Sequence, residues 1–416
     1  MFAVTHSIGL FGMNAFPVTI EAEVSRGHCQ FDISGLPDTG IRESRDRVRS
    51  ALGSMHISFP KGRVLINLAP ADIKKTGSSY DLAICVSLLQ AMGILPESLS
   101  DSIFVGELGL HGTLHSIRGA LTITMLARKN GFRQIFVPAE NLKEASVIDG
   151  INVYGIETVN DLVMHLLGKR RLTPAVPYQP EQQQITHFLD LCDVRGQLKA
   201  RHGLELAAAG GHNILFVGSP GSGKSMLANR LPTILPEMTR AEILETTNVY
   251  SVAGMLPSKN PLIMQRPFRA PHHTVSAAGL VGGGSIPAPG EISLAHNGVL
   301  FLDELAEFDK STLEILRQPL ESREVTISRA AGTAVYPCNI MLVAAMNPCP
   351  CGYYGSTQKK CTCSRKQVER YLGRISGPLL DRFDMHVDVE PVPYQDLASS
   401  EKLETSAVVR ERVETA

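Results

Sequence analysis

Gly218-Ser-Pro-Gly-Ser-Gly-Lys-Ser225 decides the fold. The stretch matches G-x-x-x-x-G-K-[ST], follows the apolar run Asn213-Ile-Leu-Phe-Val217, and predicts a helix over Met226 to Leu231. Gly218, Gly221 and Gly223, with Ser219, Pro220 and Ser222 between them, let backbone N–H groups turn inward around phosphates. The helix N-terminus adds partial positive charge. Lys224 is placed to reach the β- and γ-phosphates of ATP, and Ser225 to coordinate Mg2+. A chance glycine-rich turn is the alternative; the flanking strand and helix weigh against it.

Two further apolar runs lie downstream, Gly298-Val-Leu-Phe-Leu302 and Asn339-Ile-Met-Leu-Val-Ala-Ala345. Continuous runs of this kind fit an α/β fold whose parallel sheet is covered on both faces. Asp303 and Glu304 close the first run. At a helix start such a pair is ordinary dipole chemistry. Downstream of a P-loop it reads as Walker B, with Asp303 on Mg2+ and Glu304 polarising the attacking water. Asn347 follows the second run, where open α/β sheets bind ligands. It either orients the catalytic water or forms a turn before Pro348. Arg374 and Arg382 lie near a helix further on. They either neutralise transition-state charge at a neighbouring subunit's site or make surface ion pairs.

With 416 residues, the chain predicts two or three domains. Residues 1–168 mix short strands and amphipathic helices as an α+β domain. Residues 169–187 read as a linker, from Lys169, Arg170 and Arg171 through Pro174, Pro177 and Pro180. Residues 188–390 form the P-loop domain. Residues 391–416 open a further segment, helical over Gln395 to Val413. No signal peptide is recognisable at Met1 to Gly12 and no run approaches the length of a membrane span, which predicts a cytoplasmic protein. The net charge of -1 gives nucleic acid no global attraction, so any such contact needs local basic patches. Candidates are Arg266, Arg269, His272 and His273 with the glycines of 279–284, the tip Arg329 to Gly332, and Arg42, Arg45, Arg47 and Arg49 on a predicted helix. A structural loop or a solvated helix face is the alternative reading of each.

Cys29, Cys85, Cys192 and Cys338 are scattered among apolar residues and read as buried, reduced thiols. Cys349-Pro-Cys351 and Cys361-Thr-Cys363 form a cluster instead. Four thiolates can close a tetrahedral, structural Zn2+ site; reduced thiols in a surface loop are the alternative.

The P-loop, Arg266-Pro-Phe-Arg-Ala-Pro-His-His273, Pro289-Gly-Glu-Ile-Ser-Leu-Ala-His296, Gly298 to Glu304 and Leu379-Leu-Asp-Arg-Phe-Asp384 together resemble the ComM/YifB family of magnesium-chelatase-like AAA+ ATPases. The resemblance runs from the first residues to about Glu414. It implies a sensor 1 role for Asn347 and an arginine finger at Arg382, with Arg374 a second candidate. Val194-Arg-Gly-Gln197 resembles the stretch that contacts adenine, and Glu324 to Cys338 a β-hairpin inserted before sensor 1. The first domain resembles the Lon-protease module with a ribosomal-protein-like fold. There Ser79 is the nearest match to the catalytic serine and Leu121 stands at the lysine position, so no protease is expected.

The family implies a hexameric cytoplasmic ring acting on branched or single-stranded DNA, with helicase or branch-migration activity in natural transformation or recombination. Two other functions compete with it: a chelatase-type motor acting on protein partners, and a nucleotide-binding scaffold without turnover. The last arises because family members continue through further lid helices, whereas this chain ends at Ala416, about one helix into the lid.

Overall fold

The computed structural model describes residues 1–96, 98–180, 189–257, 260–284, 286–329, 332–356, 359–395 and 403–416. Two compact units divide the chain. The first is Met1–Glu181 with Tyr250–Leu262 and Ala330–Ala334, and the second is Gln182–Val249, Ile263–Arg329 and Val335–Ala416.

The first unit is built on strands β1 (Phe2–Phe11), β2 (Asn14–Ser25), β3 (Gln30–Ser34), β4 (Arg63–Ala69), β5 (Ser102–Phe104), β8 (Gln134–Pro138) and β9 (Asn152–Ile156); β6 (Glu107–Leu108) and β7 (Leu114–His115) pair separately. The sheet order is β3-β4-β2-β1-β5-β8-β9, with β1–β2 and β2–β4 antiparallel and the other neighbours parallel. Strand alternation puts Val18, Ile20 and Ala22 in one apolar cluster with the helices Thr39–Ser54 and Asp81–Ala91. Ile8, Ile103, Ile135 and Val153 join Ile123 and Ala127 of helix Ala120–Lys129 in the other. The helix Asp81–Ala91 is wholly buried, and apart from Asp81, Ser87 and Gln90 it is apolar all round, as a buried helix must be.

The proline-rich segment after residue 168 forms no helix or strand in its described part. It is nevertheless tied to this unit, because Ala175 N–H donates to Val153 O at 2.8 Å and Tyr178 N–H to Ser146 O at 2.9 Å.

The second unit carries a parallel sheet of β10 (Ile214–Gly218), β11 (Phe268–Arg269), β14 (Val299–Leu302), β17 (Met341–Met346) and β18 (Met385–Val389), in the order β11-β14-β17-β10-β18. Every residue of β14 and β17 is buried, the pattern of strands covered on both faces. Asn213 locks three strands together. Its side chain donates to Arg382 O at 2.9 Å and accepts from Leu342 N–H at 2.7 Å, and its N–H donates to Asp384 at 2.8 Å. Short strands β12 (Gly282–Gly283) and β13 (Ala288–Pro289) pair, and β15 (Glu324–Arg329) and β16 (Gly332–Pro337) form the expected hairpin. Ala330 and Ala331 at its tip lie outside the described residues.

The helix after the P-loop starts earlier than the sequence suggests, at Lys224, and ends at Ala228; a single 3-10 turn, Leu231–Thr233, follows. Pro232 sits in that turn and cannot donate to a continuing helix. Near the C-terminus, Gln395 is described and 396–402 are not; the helix there is Ser406–Thr415. Ser406 docks it, accepting from Leu191 N–H at 2.7 Å. Of the scattered cysteines, Cys85 and Cys338 are buried, Cys192 is half-buried and Cys29 is exposed. Cys29 lies in the turn between β2 and β3, where its immediate neighbours His28 and Gln30 are polar and exposed.

Candidate nucleotide site

Strands β10, β14 and β17 end side by side and deliver the P-loop, Asp303 with Glu304, and Asn347 to one place. They line a cavity of about 370 Å³ that includes Pro220, Lys224, Ser225, Asp303, Glu304 and Asn347. Gly221 and Gly223 have φ of +77° and +95°, values that L side chains rarely adopt, so the cradle needs glycine at both. The Lys224 ammonium donates to Gly218 O and Ser219 O, each at 2.9 Å, and to Asn347 Oδ1 at 3.2 Å. Burial holds its pKa below the ordinary lysine value, with the charges of Asp303 and Glu304 acting against that shift. Ser225 Oγ donates to Asp303 Oδ2 at 2.6 Å, so hydroxyl and carboxylate converge on one point.

Glu304 sits in the left-handed region at φ +53°. Its carboxylate lies 3.6 Å from Nδ1 of His273, whose ring centre is 4.1 Å from that of His272, with the rings tilted by 35°. Sequence reasoning grouped His273 with possible DNA contacts; the fold puts it beside the acidic pair. Gln197 belongs to the stretch that the resemblance places at adenine. Its side chain donates to Ser222 O at 3.0 Å and Glu390 O at 2.7 Å, bracing the P-loop. Neither Arg374 nor Arg382 lines this cavity. Arg374 donates to Ala306 O at 3.0 Å and Glu307 at 2.9 Å, and Arg382 pairs with Glu321. A larger cleft of about 490 Å³ beside Pro232, Met264, Phe268 and Arg410 has no comparable set of phosphate-binding groups.

The basic candidates are largely engaged. Arg266 pairs with Glu242 at 3.0 Å and donates to Asn297 O and Pro236 O. Arg269 grips Glu291 through two hydrogen bonds of 2.7 Å. Arg47 is ion-paired to the buried Asp81 at 2.5 Å, and Arg49 lies 4.7 Å over the ring of Phe59. These side chains hold the fold in place of offering a free charged face. Arg42 and Arg45 are exposed on the same helix.

Cys349, Cys351, Cys361 and Cys363 come together, all four sulfurs within 4.8 Å of one another. The Cys349–Cys351, Cys351–Cys361 and Cys349–Cys361 separations are 3.4, 3.5 and 3.7 Å. Zn–S bonds of about 2.3 Å in a tetrahedron require sulfurs about 3.8 Å apart. Tyr354 N–H points at Cys349 Sγ and Cys363 N–H at Cys361 Sγ, donors suited to thiolates. Hydrogen bonds from the backbone of Thr362 and Tyr353 bring the Cys351 thiol down to about 5.

In the first unit Leu121 is fully buried and its N–H donates to Glu144 at 3.0 Å, so no amine stands at the position of the Lon-type lysine.

A P-loop on the first strand of a five-stranded parallel sheet, acidic residues on the third and a polar residue on the fourth define a P-loop nucleoside triphosphatase of the AAA+ class. Residues 190–397 match the family described as magnesium chelatase, subunit ChlI, and residues 20–141 match that described as subunit ChlI of Mg-chelatase. The chain belongs to the ComM/YifB family of magnesium-chelatase-like AAA+ proteins. It is 45% identical to competence protein ComM of Haemophilus influenzae over 99% of this chain and 81% of that one. It is 42% identical to YifB of Escherichia coli over 99% of this chain and 80% of that protein. Lon protease 1 of Hydrogenovibrio crunogenus is 26% identical over 31% of this chain and 14% of its own length. The family implies ATP and Mg2+ as ligands, and the donor set fits both: a buried ammonium in a glycine cradle, and a hydroxyl beside a carboxylate. Among the described residues, no helix is long and apolar enough to cross a membrane.

Proposed function

We propose that this chain is an ATP-hydrolysing motor that acts on DNA as a hexameric ring, moving branch points or unwinding duplex during recombination or natural transformation in the cytoplasm. The observation that carries the reading is the convergence of Lys224, Ser225, Asp303, Glu304 and Asn347 on one cavity that neither Arg374 nor Arg382 enters. A site with every group except a cationic finger suits completion by a neighbouring subunit, which Arg382 or Arg374 would supply in trans. Similarity to a competence protein supports the DNA substrate.

In this reading the P-loop N–H groups and Lys224 hold the β- and γ-phosphates. Ser225 and Asp303 would hold Mg2+, which would neutralise charge on the phosphate oxygens. Glu304 orients the water that attacks the γ-phosphorus as the bond to ADP breaks, and Asn347 fixes that water's second hydrogen bond. Cys349, Cys351, Cys361 and Cys363 would hold a structural Zn2+; four thiolates leave it no open position for chemistry.

The test is steady-state ATP hydrolysis with and without forked or four-way DNA, beside Lys224→Ala. Stimulation by branched DNA that the substitution abolishes supports the motor. Turnover indifferent to DNA rejects it and favours a chelatase-like motor on protein partners. Nucleotide binding without turnover leaves a scaffold.

A further inference from the structure

The four-cysteine loop does more than close on itself. Gly352 is buried in it at φ +82°, and a Cβ there would stand 2.4 Å from Cδ and 2.6 Å from Cγ of Pro220. The loop backbone therefore rests directly on the ring of the third P-loop residue. The turn that brings it there is closed by Gly352 N–H donating to Cys349 O at 2.9 Å, which puts the sulfurs of Cys349 and Cys351 together. At its other end Cys363 precedes Ser364, the N-cap of helix Arg365–Leu372. Tyr371 of that helix hydrogen-bonds the backbone of Asn347.

The described parts of this loop, from Asn347 to Ser364, have no strand and no helix and leave Tyr354 57% exposed. A loop of that length with so little apolar packing needs another source of order. A closed four-thiolate site is one, because metal binding energy becomes folding energy.

We propose that the metal held by Cys349, Cys351, Cys361 and Cys363 clasps the P-loop through Gly352 and Pro220, so that nucleotide affinity depends on metal occupancy. Gly352 is a positioning residue. It holds Pro220 in place while Gln197 braces Ser222 two residues further on. The proposal rests on the zinc assignment above. Linkage makes the effect reciprocal: if Zn2+ tightens ATP binding, ATP must slow the loss of Zn2+.

The experiment uses the whole chain. Bound Zn2+ is counted with a chromogenic chelator, and affinity is read by titration with a fluorescent ATP analogue. Zinc-loaded, zinc-stripped, Gly352→Ala, Pro220→Ala and doubly substituted Gly352→Ala/Pro220→Ala proteins are compared. Stripping and Gly352→Ala are each expected to weaken nucleotide binding about tenfold, within the usual range of coupling between sites. Gly352→Ala should keep one Zn2+ per chain. Pro220→Ala and the double variant, which lack the ring on which the loop rests, should bind nucleotide with an affinity indifferent to zinc stripping, and zinc-dependent affinity in Pro220→Ala counts against the proposal. ATP should slow extraction of Zn2+ by EDTA from the wild-type chain. Zinc bound, with affinity within twofold of wild type after stripping and in Gly352→Ala, overturns this proposal and leaves the zinc assignment standing. A wild-type chain that takes up no Zn2+ overturns both.

Discussion

Arg47→Met removes the countercharge of a carboxylate that has no access to solvent. Asp81 is fully buried and accepts from Ser44 Oγ, from Arg47 Nε at 2.5 Å and from Leu108 N–H at 3.1 Å. Methionine keeps the apolar stem of the arginine, so the loss is of charge and hydrogen bonds more than of packing. Breaking a buried pair from one side costs about 3–5 kcal/mol, because the remaining charge is left uncompensated. With a urea slope of about 2 kcal/mol per M, the midpoint of the first unit should fall by about 1.5–2.5 M.

The chain has no tryptophan, so the assay is hydrogen exchange read on peptides from Asp81–Ala91 across a urea series. Burial raises the Asp81 pKa, with the hydrogen bonds of Arg47 and Ser44 opposing it; the substitution raises it further. A folded-state pKa above the unfolded value means that protonation favours the fold. The defect should therefore shrink on acidification toward the carboxylate range and grow as pH rises through the folded pKa. Arg47→Met/Asp81→Asn should recover most of the loss, since the amide oxygen can still accept from Leu108 N–H while the amide NH2 donates to Ser44 Oγ. A midpoint shift below about 0.5 M, or one that worsens toward low pH, would refute the reasoning. The salt dependence of any DNA binding should not change in Arg47→Met.

Further outcomes are expected at the nucleotide site. Glu304→Gln should bind the ATP analogue like wild type yet lose turnover, as single-turnover measurements would show. Arg382→Ala chains and Lys224→Ala chains should each be inactive; mixing them should restore some hydrolysis if the arginine acts across subunits, and mixed rings with none would remove it as a finger in trans. His273→Ala frees the Glu304 carboxylate from a contact worth about 0.2–1 kcal/mol between partly exposed groups. DNA-independent kcat should rise by about 1.4- to fivefold with KM unchanged, and His273→Asn should stay close to wild type.

The P-loop and its neighbours were legible because their chemistry is local in sequence. Gly218 to Ser225 carries its own turn, donors and helix start, and each of the runs around Val299–Leu302 and Met341–Met346 is apolar throughout because both faces are covered. The hairpin of Glu324 to Cys338 was legible from the family resemblance. What escaped were long-range pairings. Arg266, Arg269 and Arg47 looked like a basic surface until the fold brought Glu242, Glu291 and Asp81 to them. No spacing rule joins Gly352 to Pro220, which are 132 positions apart, or Gln197 to the carbonyl of Ser222. The one available hint was the tight Cys349-Pro-Cys-Gly352 turn, which marks a glycine but not its neighbour. Cys29 was misjudged because it stands between the polar His28 and Gln30 in an exposed turn, not among apolar residues.

The left-handed backbone at Glu304 sets stability against activity at a single position. A residue with a Cβ pays about 1–2 kcal/mol to stand there, and glycine would relieve that strain at the expense of about 0.5–1 kcal/mol of chain entropy. Glu304→Gly should thus be more stable by about 0.5–1 kcal/mol, or about 1–4 °C for a unit of this size, while abolishing hydrolysis. Selection for thermal robustness alone would drift toward the inert enzyme here. Libraries screened for heat tolerance should therefore recover dead variants at this codon unless turnover is screened alongside.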